Sequence, residues 1–111
     1  MGMTIDAIKK QIKEGNYDFS IHAQQERLED DLDITEIETA IMLGEVIEEY
    51  PDDPRGESCL ILGYVGTIPV HIVVGWTHNQ SNGEKILRII TVYIPRAPKW
   101  EDPSRRGGKT S

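Results

Sequence analysis

CLILGYVGTIPVHIVVGW, residues 59–76, is the stretch that decides how this chain folds. Two apolar runs, Cys59–Tyr64 and Ile68–Trp76, flank Val65, Gly66 and Thr67. A glycine between two such runs marks a tight turn, so the stretch predicts a β-hairpin. Pro69 has no N–H to give to a ladder and belongs near a strand start or on an edge.

Outward from the hairpin, the pattern repeats on both sides. Val46–Tyr50 reads as a short strand closed by the turn-forming residues Pro51, Asp52, Asp53, Pro54, Arg55 and Gly56. Downstream, Thr77–Glu84 is a polar loop containing Asn82 and Gly83, and it leads to a strand at Lys85–Ile94. Upstream the period changes. Ile5, Ile8 and Ile12 share one helical face over Thr4–Glu14, and Gly15 with Asn16 stops that helix. Ser20 is a suitable N-cap for a second helix running to about Asp31. Thr35 with Glu38 three residues on predicts a capping box for a third, which buries Ile37, Ala40 and Ile41 and ends at Gly44. Helices followed by a run of strands predict an α+β domain over residues 1–94. Its N-terminal helices pack on one side of a four-stranded antiparallel sheet and leave the other face partly open. Residues 95–111 read as a Pro- and Gly-rich basic tail.

Composition narrows the function classes. A chain of 111 residues makes one compact domain, and no apolar run approaches the roughly 20 residues of a membrane-spanning helix. The N-terminus shows no secretory h-region, and a lone cysteine, Cys59, suits a reducing compartment, so a cytoplasmic location is expected. The net charge of −7 argues against a freestanding nucleic-acid binder. Its distribution says more. Residues 1–53 hold fifteen acidic and four basic side chains, a net −11, whereas residues 54–111 hold four and eight, a net +4. A basic strand half could meet a phosphate chain while the acidic helices face solvent or a basic partner.

Few residues could carry chemistry. His22 falls in the first turn of the helix capped by Ser20, where its imidazole could exchange a proton near neutral pH or simply pack locally. Arg27, five residues on, is about 140° around the helix from His22, and Asp30 and Asp31 stand ready to pair with it. Arg88 lies inside KILRIITVYI (85–94), a strand apolar on both faces, where a cation needs a partner. That partner is either an internal carboxylate or a bound phosphate. His71 on the middle strand could meet Arg88 or Tyr93, and His78 sits in a polar loop. Three scattered histidines and one cysteine lack metal-ligand spacing, and no phosphate-cradling glycine motif or nucleophile elbow is present, so neither metal nor cofactor is expected.

The order of FSIHAQQER (19–27), ITEIETAI (34–41), GEVIEEYPDDPRGESCLILGY (44–64), PVHIVVGW (69–76) and LRIITVYIPRAPKWEDP (87–103) resembles the domain-of-unknown-function family DUF4258. The resemblance implies a RelE/MqsR-like fold, with helices against a curved antiparallel sheet. It also implies a toxin of a type II toxin–antitoxin pair, accompanied by a small YgiT/MqsA-like zinc-finger antitoxin and acting on RNA, alone or on the ribosome. Similar toxins cleave RNA without metal, the ribose 2′-hydroxyl attacking the adjacent phosphate. On this reading His22, His71, Arg88 and Tyr93 are catalytic, and Arg27 and Arg96 bind substrate. The chain departs from the pattern of many relatives at Glu26, where they carry arginine, and at Asp30 and Asp31, where their second arginine would stand. The alternative is a non-catalytic interaction module or regulator of the same fold, acting in a complex.

Overall fold

In the computed structural model, which describes residues 3–54, 56–79, 81–96 and 100–106, the hairpin forms as its sequence requires. Strand β3 (Ser58–Val65) turns through Gly66, at φ 63°, into β4 (Ile68–His78), and the two pair antiparallel from Ser58↔Gly75 to Val65↔Ile68. β2 (Glu45–Tyr50) pairs with β3, and β5 (Lys85–Tyr93) with β4, both antiparallel.

Two features of the sheet correct the expectation of four antiparallel strands. A fifth strand, β1 (Tyr17–Phe19), lies between the first two helices and pairs with β5 in parallel, Asp18 opposite Arg88. The sheet order is therefore β1-β5-β4-β3-β2, and the sheet does not close. Three residues are too few to show a period, so a strand this short gains its stability from its neighbour rather than from its own pattern. β6 (Trp100–Asp102) and β7 (Arg105–Arg106) form a separate small hairpin within the stretch read as a tail.

The helices follow their caps. α1 (Ile5–Glu14) starts at Thr4, whose hydroxyl accepts from the Ala7 N–H at 3.1 Å, and stops at Gly15, φ 73°. α2 (Ile21–Glu29) starts at Ser20, whose hydroxyl accepts from the Ala23 N–H at 2.9 Å and donates to the Ile90 carbonyl at 2.7 Å. One side chain thus both begins the helix and ties it to β5. α3 (Ile34–Met42) does have a capping box, but it is formed by Asp33 and Glu36. Asp33 accepts from the Glu36 N–H at 2.8 Å, and Glu36 accepts from the Asp33 N–H at 3.0 Å. Thr35 and Glu38 fit the motif equally well in sequence. Glu38, however, is drawn away to accept from the Tyr17 hydroxyl, a tertiary contact that no local pattern shows.

Helices cover one face of the sheet. Ile8, Ala23, Ile37, Ala40 and Ile41 meet Ile61, Val70, Ile72, Val74, Leu87, Ile89 and Val92, all fully buried. Gly63 lets α3 settle on β3, because a Cβ there would lie 2.3 Å from the Ala40 carbonyl oxygen. On the opposite face Leu60, Leu62 and His71 are also buried, so that face is less open than expected.

Candidate functional site

β5 is the element against which the candidate residues are arranged, and its free edge explains why. β1 covers that edge only along Leu87, Arg88 and Ile89. Beyond Ile89 the edge strand would expose unpaired backbone groups, and α2 supplies what β1 no longer can. The Ser20 N–H donates to the Ile89 carbonyl at 2.9 Å. Glu26, on the next turn of α2, accepts from the Val92 N–H at 2.8 Å and from the Thr91 hydroxyl through the same oxygen, Oε1. A carboxylate in this position does the work of a neighbouring strand.

The other oxygen of that carboxylate faces His22. The distance from His22 Nε2 to Glu26 Oε2 is 3.1 Å, and the histidine is largely exposed while Glu26 is mostly buried. An ionised carboxylate only accepts, so Nε2 carries the hydrogen and, in the neutral ring, Nδ1 presents its lone pair. Glu26, which in sequence marks the loss of an arginine, thus becomes the group that orients the histidine. The i,i+4 spacing of His22 and Glu26 was the available signal. What anchors Glu26 from the other side lies 65 residues away.

Arg27 does not take up the expected pairing with Asp30 or Asp31. Its Nε donates to Gln24 Oε1 at 2.7 Å, its Nη1 donates to the Leu32 carbonyl at 3.2 Å, and its guanidinium lies 5.9 Å from the centre of the Phe19 ring. These contacts fasten the end of α2 to the segment before α3. Arg96 is exposed at the same end of α2, with Nη2 4.0 Å from Asp30 Oδ1.

Arg88 finds an internal carboxylate. Its Nε and Nη2 donate to Asp18 Oδ1 and Oδ2 at 2.8 and 2.9 Å, a bidentate pair set by the Asp18↔Arg88 register of the parallel ladder. The hydrogen bond to Asp18 raises the Arg88 pKa further, so it stays charged while its charge is locally balanced. At this point β5 is flanked by β1 and β4, yet the side chain is 41% exposed. It lines a cleft of about 230 Å³ with Ile90, Gly75, Trp76, Asp53 and Glu57. Asp18 was missed in sequence because β1 was; its place between Tyr17 and Phe19, polar between aromatics, was the only hint.

His71 is fully buried and stands opposite Tyr93 in the β4–β5 ladder. Its Nε2 is 2.5 Å from the Pro103 carbonyl oxygen, and its Nδ1 is 3.2 Å from the Tyr93 hydroxyl. A carbonyl cannot donate, so neutral His71 donates from Nε2 and accepts the Tyr93 hydroxyl hydrogen at Nδ1. Gly75, the partner of Arg88, is four residues along β4 from His71, about 13 Å at strand rise. The four candidate catalytic residues therefore fall in three places. His22 lies with Glu26 on α2, Arg88 with Asp18 beside the cleft, and His71 with Tyr93 beneath Pro103. His78 is exposed at the end of β4.

Among the described residues no group of three or more His, Cys, Asp or Glu is placed to hold a metal ion, and no helix is long and apolar enough to cross a membrane. Fold and arrangement define an α+β domain with an open five-stranded sheet and a histidine–carboxylate pair at one edge. A family model described as "Domain of unknown function (DUF4258)" matches residues 19–94, and the chain belongs to that family. No significant match is found among curated proteins or solved structures.

Proposed function

We propose that this chain is a metal-independent RNA endonuclease of the toxin kind, with a RelE/MqsR-like fold and a small zinc-finger antitoxin as its partner. His22 is the general base and Glu26 its positioning residue. The observation that carries the reading is the His22–Glu26 pair, whose carboxylate is anchored on Thr91 and Val92 and whose imidazole is open to solvent. A histidine oriented through one nitrogen by a fixed carboxylate leaves the other nitrogen to take a proton. In the reaction, Nδ1 accepts the ribose 2′-hydroxyl proton and the 2′-oxygen bonds to the adjacent phosphorus. The bond from phosphorus to the 5′-oxygen breaks, and that oxygen takes a proton from water. The products are a 2′,3′-cyclic phosphate and a 5′-hydroxyl. Among the described residues, Arg96, exposed near the far end of α2, is a cation that can meet the phosphate chain, and Arg27 beside it adds positive charge while held by Gln24 and the Leu32 carbonyl.

The test is incubation of the purified chain with mRNA, alone in EDTA and, in a parallel reaction with Mg²⁺, on ribosomes. Cleavage leaving cyclic-phosphate ends is expected, with a loss of about 100-fold or more in His22→Ala. Glu26→Gln should retain partial activity with an altered pH–rate profile, as a positioning role requires. If wild type and His22→Ala are equally inert and expression harms no cell, the reading fails.

A second reading, a non-catalytic interaction module, is favoured by one observation. The strand arginine that would clamp a phosphate is already matched by Asp18. In that case a tight protein complex forms without RNA, and His22→Ala leaves its affinity unchanged.

A further inference from the structure

We propose that the groove between α1 and α3 receives an acidic amphipathic helix of a partner protein. Ile12 and Lys13 on one wall and Thr39, Met42 and Leu43 on the other bound a space of about 680 Å³. A second depression, of about 610 Å³, continues it along α1 past Lys9 and Lys10, and Lys13 and Met42 line both. Leu43 is 81% exposed at the end of α3. An apolar side chain so open gains by being covered, and the flexible thioether of Met42 beside it adapts to the shape of what covers it. Two helices in contact leave a trough that a third helix fills well, because its side chains pack into the rows between theirs. The ten residues of α1 set the length of the seat at about 15 Å, or nearly three turns.

The charge of the occupant follows from the lysines. Residues 1–53 contain fifteen acidic side chains and four basic ones, and three of the four, Lys9, Lys10 and Lys13, fall within little more than one turn of α1. Among the described residues none of the three makes an ion pair, although Asp6 stands three and four places before Lys9 and Lys10. Glu38, at the α3 wall, already accepts from the Tyr17 hydroxyl. The groove thus joins an apolar centre to a row of unpaired ammonium groups within the acidic half of the chain. A helix that meets both carries leucine-like side chains on one face and carboxylates on its flanks. A second copy is a poor occupant. Its open apolar helix face, Ile21 and Leu28 on α2, is bordered by exposed His22 and Gln25 and by one exposed acid, Glu29. The groove residues belong to α1 and α3, whereas His22 and Glu26 belong to α2, so the inference stands whether or not His22 acts as a base.

The test is an NMR titration of the isotope-labelled full chain with a capped peptide about four helical turns long. Leucines at i, i+3, i+4 and i+7 spacing form its apolar face, with glutamate and alanine elsewhere. Saturable shifts at Lys9, Lys10, Lys13, Met42 and Leu43 are expected, with the peptide becoming helical as it binds. A version with lysine in place of glutamate, and one of the same composition with the leucines scattered around the helix, should each bind at least about ten-fold more weakly. Leu43→Ser and, separately, Lys10→Glu with Lys13→Glu should weaken binding by about the same factor while the thermal midpoint stays that of the wild type. The proposal is overturned by equal binding of the scattered peptide, which would show charge alone, by shifts that map elsewhere, or by no saturable shift at millimolar peptide. It is also overturned if a single-stranded RNA or anionic phospholipid vesicles shift these lysines and the peptide does not, which would assign the patch to phosphate. Shifts of the same residues that grow with protein concentration in the absence of peptide would make a second copy the occupant and overturn it as well.

Discussion

The two edges of the sheet are finished in opposite ways. At the β5 side, β1 pairs with the first half of the strand and α2 completes the second half, through the Ser20 backbone and the Glu26 carboxylate. Every contact there joins residues far apart in sequence, and the histidine of interest is attached to the last of them. At the β2 side no described strand follows, and the edge carries acidic side chains instead. The comparison teaches that the β5 edge is finished by tertiary contacts, whereas the β2 edge presents exposed charge at Glu45 and Glu49. A carboxylate serves in both places. Mostly buried at the β5 edge it is an acceptor for three donors, the Val92 N–H, the Thr91 hydroxyl and His22 Nε2; exposed at the β2 edge it is a charge facing water.

That contrast can be broken most severely from the β5 side. Ile89 is fully buried at the point where β1 ends, so Ile89→Ala should cost about 2–5 kcal/mol in urea unfolding. A cost below about 1 kcal/mol would mean that this edge is not packed as described. Glu26→Ala should follow, at about 1–3 kcal/mol, because the Val92 N–H and the Thr91 hydroxyl lose their acceptor in a mostly buried place. Its amide-exchange signature should be local, with Val92 losing protection and the β2 amides unchanged.

The smallest effect probes the β2 side through Cys59, which is opposite Glu49 and fully buried. Burial, with the nearby charges of Glu49 and Glu57, pushes the thiol up to about 12 from an ordinary value of 9.0. The folded state therefore holds the proton more tightly than the unfolded one. That contribution is complete below pH 9 and is lost as pH rises toward 12. The unfolding midpoint should fall over this window, and Cys59→Ala should fall less steeply. An identical slope in the two proteins would remove the thiol from the account.

Much of the fold was legible in the sequence because its signals are local. The Gly66 hairpin, the Ile8 and Ile12 stripe, the Gly15 stop and the Ser20 cap each depend on a few adjacent residues, and each occurs as read. The capping box was displaced by two residues because Glu38 answers to Tyr17 and not to its own helix. β1 was missed because a three-residue strand owes its existence to β5.

For the site, the sequence alone determined which side chains were available: His22 behind its serine cap, Arg88 in an apolar strand, His71 on the hairpin. It could not determine their partners. Asp18 reaches Arg88 across 70 residues, Glu26 reaches Thr91 and Val92 across 65 and 66, and Pro103 reaches His71 across 32. Such pairs are decided by register and packing, where a hydrogen bond forms because burial has removed water as the alternative. Local propensity carries no record of that choice, and the tertiary structure alone made it.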